Sequence, residues 1–152
     1  IFDRTDKGST LKMLTMLDEY TRQCLAIRVE RQIRSGQVLA TLWQAMMTYG
    51  IPEHIRSDNG SEFIAQKIQE WLKESQIKTL YIDPGSPWQN GYIESFHSRF
   101  RDECLNREWL LNLREARVVI EDWRQYYNIE RPHSRLGYLS PEGFIANQNV
   151  SL

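Results

Sequence analysis

Apolar positions along the chain keep two rhythms. Ile1-Phe2 reads as the stub of a strand, and Asp3 to Thr10 is polar with Gly8, a turn. Leu11 to Leu17 and Cys24 to Val29 are short β-compatible runs separated by the turn Asp18-Glu19-Tyr20-Thr21-Arg22. The opening therefore predicts three antiparallel strands in a meander. From Ser35, a plausible N-cap, Val38, Leu39, Leu42, Trp43, Met46 and Met47 recur on one helical face until Gly50 and Pro52 stop it. Glu53 to Ser57 is a short strand ending at Asp58. Ile64, Ile68, Trp71 and Leu72 mark a second amphipathic helix, and Lys78 to Ile82 a fifth strand. Pro84-Gly85-Ser86-Pro87 forces a loop. From Asn90 the period is helical again, with Ile93, Phe96, His97, Phe100 and Cys104 on one face. A further helix spans about Leu113 to Tyr127, with Ala116, Ile120, Trp123 and Tyr127 inward. Arg131-Pro132-His133 breaks it, and Pro141 to Ile145 starts a short terminal turn of helix. The order β-β-β-α-β-α-β-α-α predicts an α/β fold, a mixed sheet with helices on its faces, as one domain over residues 1–152.

Composition narrows the class. With 152 residues, 41% of them apolar, and five Trp, the chain can bury a core and is not of the disordered kind. Its apolar runs are too short to span a membrane, and no basic-then-apolar leader opens it. Because the first residues already resemble a strand interior, the sequence reads as a piece of a larger protein. Cys24 and Cys104 carry no partner motif, so two reduced thiols are expected rather than a disulfide. A net charge of −1 argues against a dedicated basic nucleic-acid-binding module. It leaves room for an enzyme that works on nucleic acid, since acids gathered at a metal site cancel basic residues elsewhere in the sum.

Two acids stand where chemistry is commonly placed. Asp58 ends a strand, and ligands gather at the carboxyl ends of strands in open α/β sheets. Glu94 lies about a turn into a helix, one position from the inward Ile93. Arg101 follows seven residues later, nearly two turns on, so it projects from nearly the same side. Hard divalent ions take oxygen ligands, and two such ions activate the attacking oxygen and stabilise the leaving oxygen in phosphoryl transfer. At least two carboxylates must converge for this, and commonly three do. Each residue also has a plainer reading. Asp58-Asn59-Gly60 is an ordinary turn signal, although a helix pattern and not a second strand follows it. Glu94 alone reads as a solvated helix carboxylate, and Arg101 as its solvated partner. Trp88 either stacks on a base or packs in the core. His97 reads as a packed histidine. Arg99, Arg107, Arg114, Arg117 and Arg124 alternate with acids as on a solvated helix face. Spacing alone does not choose among these.

Several strings, in order, carry a resemblance: Leu17-Asp18-Glu19-Tyr20-Thr21-Arg22, Ile55 through Phe63, Pro87 through Phe96, and Arg101 through Asn106. Trp123 through Asn128, Arg131-Pro132-His133-Ser134, Leu136-Gly137-Tyr138 and Pro141 continue it. Thirty-five residues separate Asp58 from Glu94. The chain resembles the catalytic core of bacterial insertion-sequence transposases of the insertion-sequence-three type, within the retroviral-integrase superfamily, over nearly all its length. That resemblance implies a ribonuclease-H-like fold with strand order 3-2-1-4-5. It also implies an Asp-Asp-Glu triad holding two magnesium or manganese ions, with Asp58 as the second acid and Glu94 as the third. Arg101 matches a basic residue that contacts transposon-end DNA, and Asn90 and Gly91 match the turn opening the catalytic helix. The implied activity is metal-dependent cleavage and strand transfer on transposon ends and target DNA, in a self-associated synaptic complex in the bacterial cytoplasm, at the nucleoid. One feature departs from the family: its first acid lies in the middle of the first strand. Asp3 and Asp6 read as turn acids here, and the first acid is expected just upstream of Ile1, which would leave these 152 residues inactive by themselves. A nuclease of the same fold that does not join strands, and a module that only binds DNA or self-associates, are the rival readings.

Overall fold

In the computed structural model the described residues are 1–57, 66–81 and 91–150. They form, in order, β1 (Phe2–Arg4), β2 (Thr10–Leu17), β3 (Cys24–Glu30), α1 (Ser35–Tyr49), β4 (His54–Ser57), α2 (Gln66–Glu74), β5 (Lys78–Tyr81), α3 (Gly91–Glu103), α4 (Leu113–Ile129) and α5 (Pro141–Val150). The chain divides into two compact units, residues 1–31 with 99–152, and residues 32–98. Among the described residues no helix is long and apolar enough to cross a membrane.

In the first unit β1, β2 and β3 form the expected antiparallel meander, with β2 in the centre. Leu11 and Met13 are buried and Lys12 between them is exposed, the alternation of a strand with one covered face. Phe2 pairs with Lys12 and Lys12 with Glu30, and a bulge between Met16 and Leu17 ends the regular ladder. Gly8 takes a φ of +85° in the first turn, a conformation that L side chains rarely adopt. Asp18 closes the second turn: its Oδ1 accepts from the backbone N–H of Tyr20 at 2.9 Å and of Thr21 at 3.0 Å. Asp6 lies in the first turn, as expected. Asp3 does not; it sits within β1, opposite Leu11, and its carboxylate accepts from the Arg4 amide at 2.8 Å.

Helix α4 covers β3. Asn112 caps it by accepting from the Glu115 amide at 2.9 Å, and Ala116, Ile120, Trp123 and Tyr127 form its buried stripe. Trp123 stacks on Phe100 with ring centroids 5.1 Å apart. The polar side chains of α4 complete the join. Asn128 Oδ1 accepts from the Cys24 amide at 2.8 Å, and its Nδ2 donates to the Cys24 carbonyl at 2.9 Å, as a neighbouring strand would. Arg124 Nη1 donates to that same carbonyl at 2.9 Å, and Arg117 Nε donates to the Val29 carbonyl at 3.1 Å. Arg117 stays exposed, as expected, and also pairs with Glu30 at 2.8 Å, whereas Arg124 is largely covered and departs from the solvated face expected of it. Their guanidiniums reach the backbone of β3, a partner distant in sequence. Neither cysteine is in a disulfide, as expected. Burial pushes both thiols up to about 12, so neither is a nucleophile at neutral pH.

In the second unit α1 begins one residue earlier than its capping signal suggested. Arg34 is the N-cap and its amide donates to Gln37 Oε1 at 2.9 Å, which makes Ser35 the first helical residue. Gly50 ends the helix with a φ of +98°. Val38 and Leu42 are buried, but Trp43 is 58% and Met47 69% exposed, so only part of the apolar face is covered. Ile68 and Leu72 are the buried positions of α2. Strands β4 and β5 pair in parallel, His54 with Lys78 through Ser57 with Tyr81. The segments 3-2-1 and 4-5 of the expected order thus appear as two sheets. The terminal helix α5 runs ten residues, more than the short turn expected.

Candidate active site

The expected site residues divide between what is described and what is not. Asp58, Trp88 and Asn90 lie outside the described residues. Strand β4 runs up to Ser57, the residue before Asp58, and Ser57 is buried. β4 pairs in parallel with β5 from His54 with Lys78 to Ser57 with Tyr81.

Glu94 sits in the first turn of α3 and is exposed. Local sequence explains the orientation: Phe96 and Phe100 are buried and Ile93 and His97 half-buried, so Glu94 points off that stripe. A carboxylate in the first helical turn also sits favourably beside the unpaired amides and positive end of the helix. Among the described residues Glu94 makes no hydrogen bond or ion pair, so its oxygens remain available to an external partner. Among the described residues no group of three His, Cys, Asp or Glu side chains could hold a metal ion. Of the two expected metal ligands, Glu94 is the one among the described residues, and it is a hard oxygen donor. That donor fits magnesium or manganese and suits no soft metal.

Arg101, in the last turn of α3, is half-buried. Its Nη2 donates to the main-chain carbonyl of Phe2 at 3.1 Å. The sequence offered a phosphate contact or a solvated partner for this residue and gave no sign of the strand carbonyl, since the two positions lie 99 residues apart.

A second charged group escaped sequence reasoning. Arg131 grips Glu103 with both ends of its fork, Nη2 to Oε2 at 2.7 Å and Nε to Oε1 at 2.8 Å. The hydrogen bond that Arg131 donates to Glu103 raises the Arg131 pKa above its ordinary value. Nearby, His133 is buried, its Nε2 has no hydrogen-bond partner among the described residues, and its ring meets Tyr127 edge-on at 4.8 Å. Burial first, then the charges of Arg131 and Arg99, hold His133 down at about 4. It is a neutral packed imidazole at physiological pH. No local pattern could have revealed either feature, because Glu103 and Arg131 lie 28 positions apart.

Comparison with known proteins locates these features in a family. Two family models, each described as an integrase core domain, match residues 1–87 and 75–141. An insertion element IS476 uncharacterized 39.2 kDa protein of Xanthomonas euvesicatoria is 43% identical over 97% of the chain and 42% of its own length. An insertion element IS407 uncharacterized 31.7 kDa protein of Burkholderia multivorans is 39% identical over 99% of the chain and 54% of its own. Transposase InsF for insertion sequence IS3fB of Escherichia coli is 26% identical over 97% of the chain and 52% of its own. The chain thus spans about half the length of the curated relatives it matches. Among solved structures, the catalytic core domain of BIV integrase superposes with a TM-score of 0.72 at 19% identity, covering 98% of this chain and 93% of that one. The HTLV-2 integrase catalytic core domain in complex with magnesium superposes at 0.63 and 19% identity, covering 95% and 89%. The α/β fold is that of retroviral integrase catalytic cores.

Proposed function

The chain belongs to the integrase core domain family, and from that premise we propose that it is the catalytic core of a bacterial insertion-sequence transposase. The reaction is phosphoryl transfer on DNA: hydrolysis at a transposon end, then attack of the freed 3′-hydroxyl on target DNA. The observation that carries the reading is Glu94, an exposed carboxylate with no partner among the described residues, on the first turn of a helix that otherwise buries its apolar stripe. The end of β4 immediately before Asp58 supports it. Asp58, Glu94 and a third carboxylate would hold two divalent ions of the magnesium or manganese kind, which lower the pKa of the attacking hydroxyl and offset charge on the phosphoryl oxygens.

The remaining roles belong to the chain. Arg101 neutralises a phosphate of the transposon end, Trp88 offers a face for stacking a base, and Asn90 sets the turn from which α3 starts. The third carboxylate lies on an upstream continuation of β1. Its support is the ladder: Ile1 accepts from the Met13 amide at 2.9 Å, while β2 runs on to Leu17 with a further length of edge for a longer β1 to pair with. The five strands form a single ribonuclease-H-like sheet in the order 3-2-1-4-5, within one catalytic domain. The working form is a self-associated complex on DNA in the cytoplasm, at the nucleoid.

The test uses the full-length protein, duplex DNA bearing its element's ends, and magnesium or manganese. The expected result is nicking at the 3′ ends followed by joining to target DNA. Asp58→Asn and Glu94→Gln should each abolish both steps and weaken Mn2+ binding measured by calorimetry. Nicking without joining would favour a nuclease, and unaltered ion binding in both variants would remove the catalytic reading.

A further inference from the structure

Residues 131–141 hold two arginines and no acid, and the function proposed above gives none of them a role. They follow α4 and close on themselves. The His133 amide donates to the Leu139 carbonyl at 3.0 Å, and the His133 carbonyl accepts from the amides of Leu136 at 3.0 Å and Tyr138 at 2.8 Å. His133 and Leu136 are buried and anchor the loop. The backbone at its tip is unusual: Gly137 and Tyr138 both have a φ of +64°. Glycine takes that left-handed conformation freely, whereas for a bulky L side chain it is a genuine outlier. Packing within the fold does not account for the tyrosine, which is 75% exposed. The loop thus holds an aromatic ring in solvent at a position where glycine would suit the backbone better. Backbone strain of this kind persists only where the surrounding structure imposes it, and it gathers at ligand contacts.

Charge around the loop points to the class of ligand. Arg135 is exposed on the 3-10 turn Ser134–Leu136 and makes no ion pair among the described residues. Arg131, Arg99 and Arg22 all act on the His133 imidazole, against one carboxylate, Glu103. Glu130 and Glu142 flank the loop in sequence and lie outside it. An aromatic face beside an excess of guanidinium suits a nucleic-acid strand, with a base on the ring and phosphates on the cations. We propose that residues 134–139 form a further nucleic-acid contact, in which Tyr138 stacks on an unpaired base and Arg135 takes the adjoining phosphate. That the strand is DNA rests on the function proposed above, whereas the stacking itself does not. The loop bonds fix the backbone that carries the ring before any ligand arrives, which lowers the ordering cost of binding. A base paired within a duplex keeps its faces in the stack, so the contact favours a frayed or displaced strand.

The experiment uses the full-length protein without metal and a fluorescent duplex of its element's end, either blunt or with a short unpaired 3′ extension. Tyr138→Gly should raise Kd for the extended duplex about tenfold and leave that for the blunt duplex within about twofold. Tyr138→Phe should bind as the wild type does. A fluorescent aminopurine placed in the extension should be quenched by the wild type and by Tyr138→Phe, and not by Tyr138→Gly. Arg135→Gln should weaken both duplexes and reduce the slope of affinity against salt by about one. Because glycine relieves the left-handed backbone, Tyr138→Gly should melt no lower than the wild type. Unchanged affinity and quenching in Tyr138→Gly overturn the proposal, and so does an equal loss on blunt and extended duplexes. A melting temperature lowered by more than about 4 °C in Tyr138→Gly and kept in Tyr138→Phe also overturns it, for the ring is then packed under another protein segment. If the wild-type protein neither nicks nor joins DNA with magnesium, the functional reading falls, and affinity and quenching on the same oligonucleotides still judge the contact.

Discussion

The seam between β3 and α4 and the first turn of α3 both carry charged or strongly polar side chains, and they use them in opposite ways. Along the seam, Arg117, Arg124 and Asn128 give donors to the backbone of β3, Arg117 from an exposed position, while Glu121 clasps Arg124 at 2.7 Å. The bond from Arg124 lowers the Glu121 pKa, so that carboxylate stays charged. On α3 the apolar side chains take the interior and Glu94 has no partner among the described residues. A polar group whose capacity is filled internally stabilises a fold, and one whose capacity is left open can bind a ligand. Burial alone would not have separated the two, since Glu121 is exposed as well.

The contrast can be broken most sharply at Glu94. Glu94→Gln in the full-length protein should cut strand cleavage by about a thousandfold or more, several kcal/mol of barrier. Its melting temperature should stay within about 2 °C of wild type, because no internal bond is lost. A large fall in melting temperature would mean that the carboxylate is structural. Asn128→Ala should do the reverse. It deprives the buried Cys24 amide of its acceptor and removes a second bond to the Cys24 carbonyl. Denaturant unfolding should show a loss of about 2–3 kcal/mol.

A somewhat smaller effect is expected from pH at the end of α4. His133 is held near 4 when folded, against an ordinary 6.5, so the unfolded chain binds more protons between those values. Its contribution is complete above about pH 6.5 and is lost as pH falls toward 4, amounting to about 2 kcal/mol at pH 5. Urea unfolding at pH 7.5 and pH 5 should show that loss in the wild type and a smaller one in His133→Gln. Arg131, Arg99, Glu103 and Arg22 also act on this imidazole, so the comparison is made within each protein rather than across them. The smallest change belongs to α1. Trp43→Gln should shift stability by less than about 0.5 kcal/mol, because the indole is 58% exposed. A larger loss in a concentration-dependent melt would reveal an apolar face covered by another chain.

Much of the fold was legible because it rests on short-range pattern. The meander followed from turn chemistry between β-compatible runs, and α4 from a stripe at Ala116, Ile120, Trp123 and Tyr127 that is buried as expected. Asp18 was legible as a turn residue because an Asx turn is made within a few positions. Glu94 was legible as a helix carboxylate beside an apolar stripe, though nothing local could say that its oxygens go unpaired. Asp3 misled because a residue near a turn and a residue in a short strand look alike when the ladder is only three pairs long.

The sequence by itself determined which segments are helix or strand, which faces are apolar, and, through its ordered motifs, the family. Those properties depend on residues a few positions apart, where periodicity and turn preference act. The tertiary structure decided what each charge is for. Arg117 and Arg124 serve the strand, Arg131 holds Glu103, and Arg101 bonds Phe2, all across 28 residues or more. A guanidinium is equally at home on a carbonyl, a carboxylate or a phosphate. Only the folding of distant segments against one another determines which of these comes within reach.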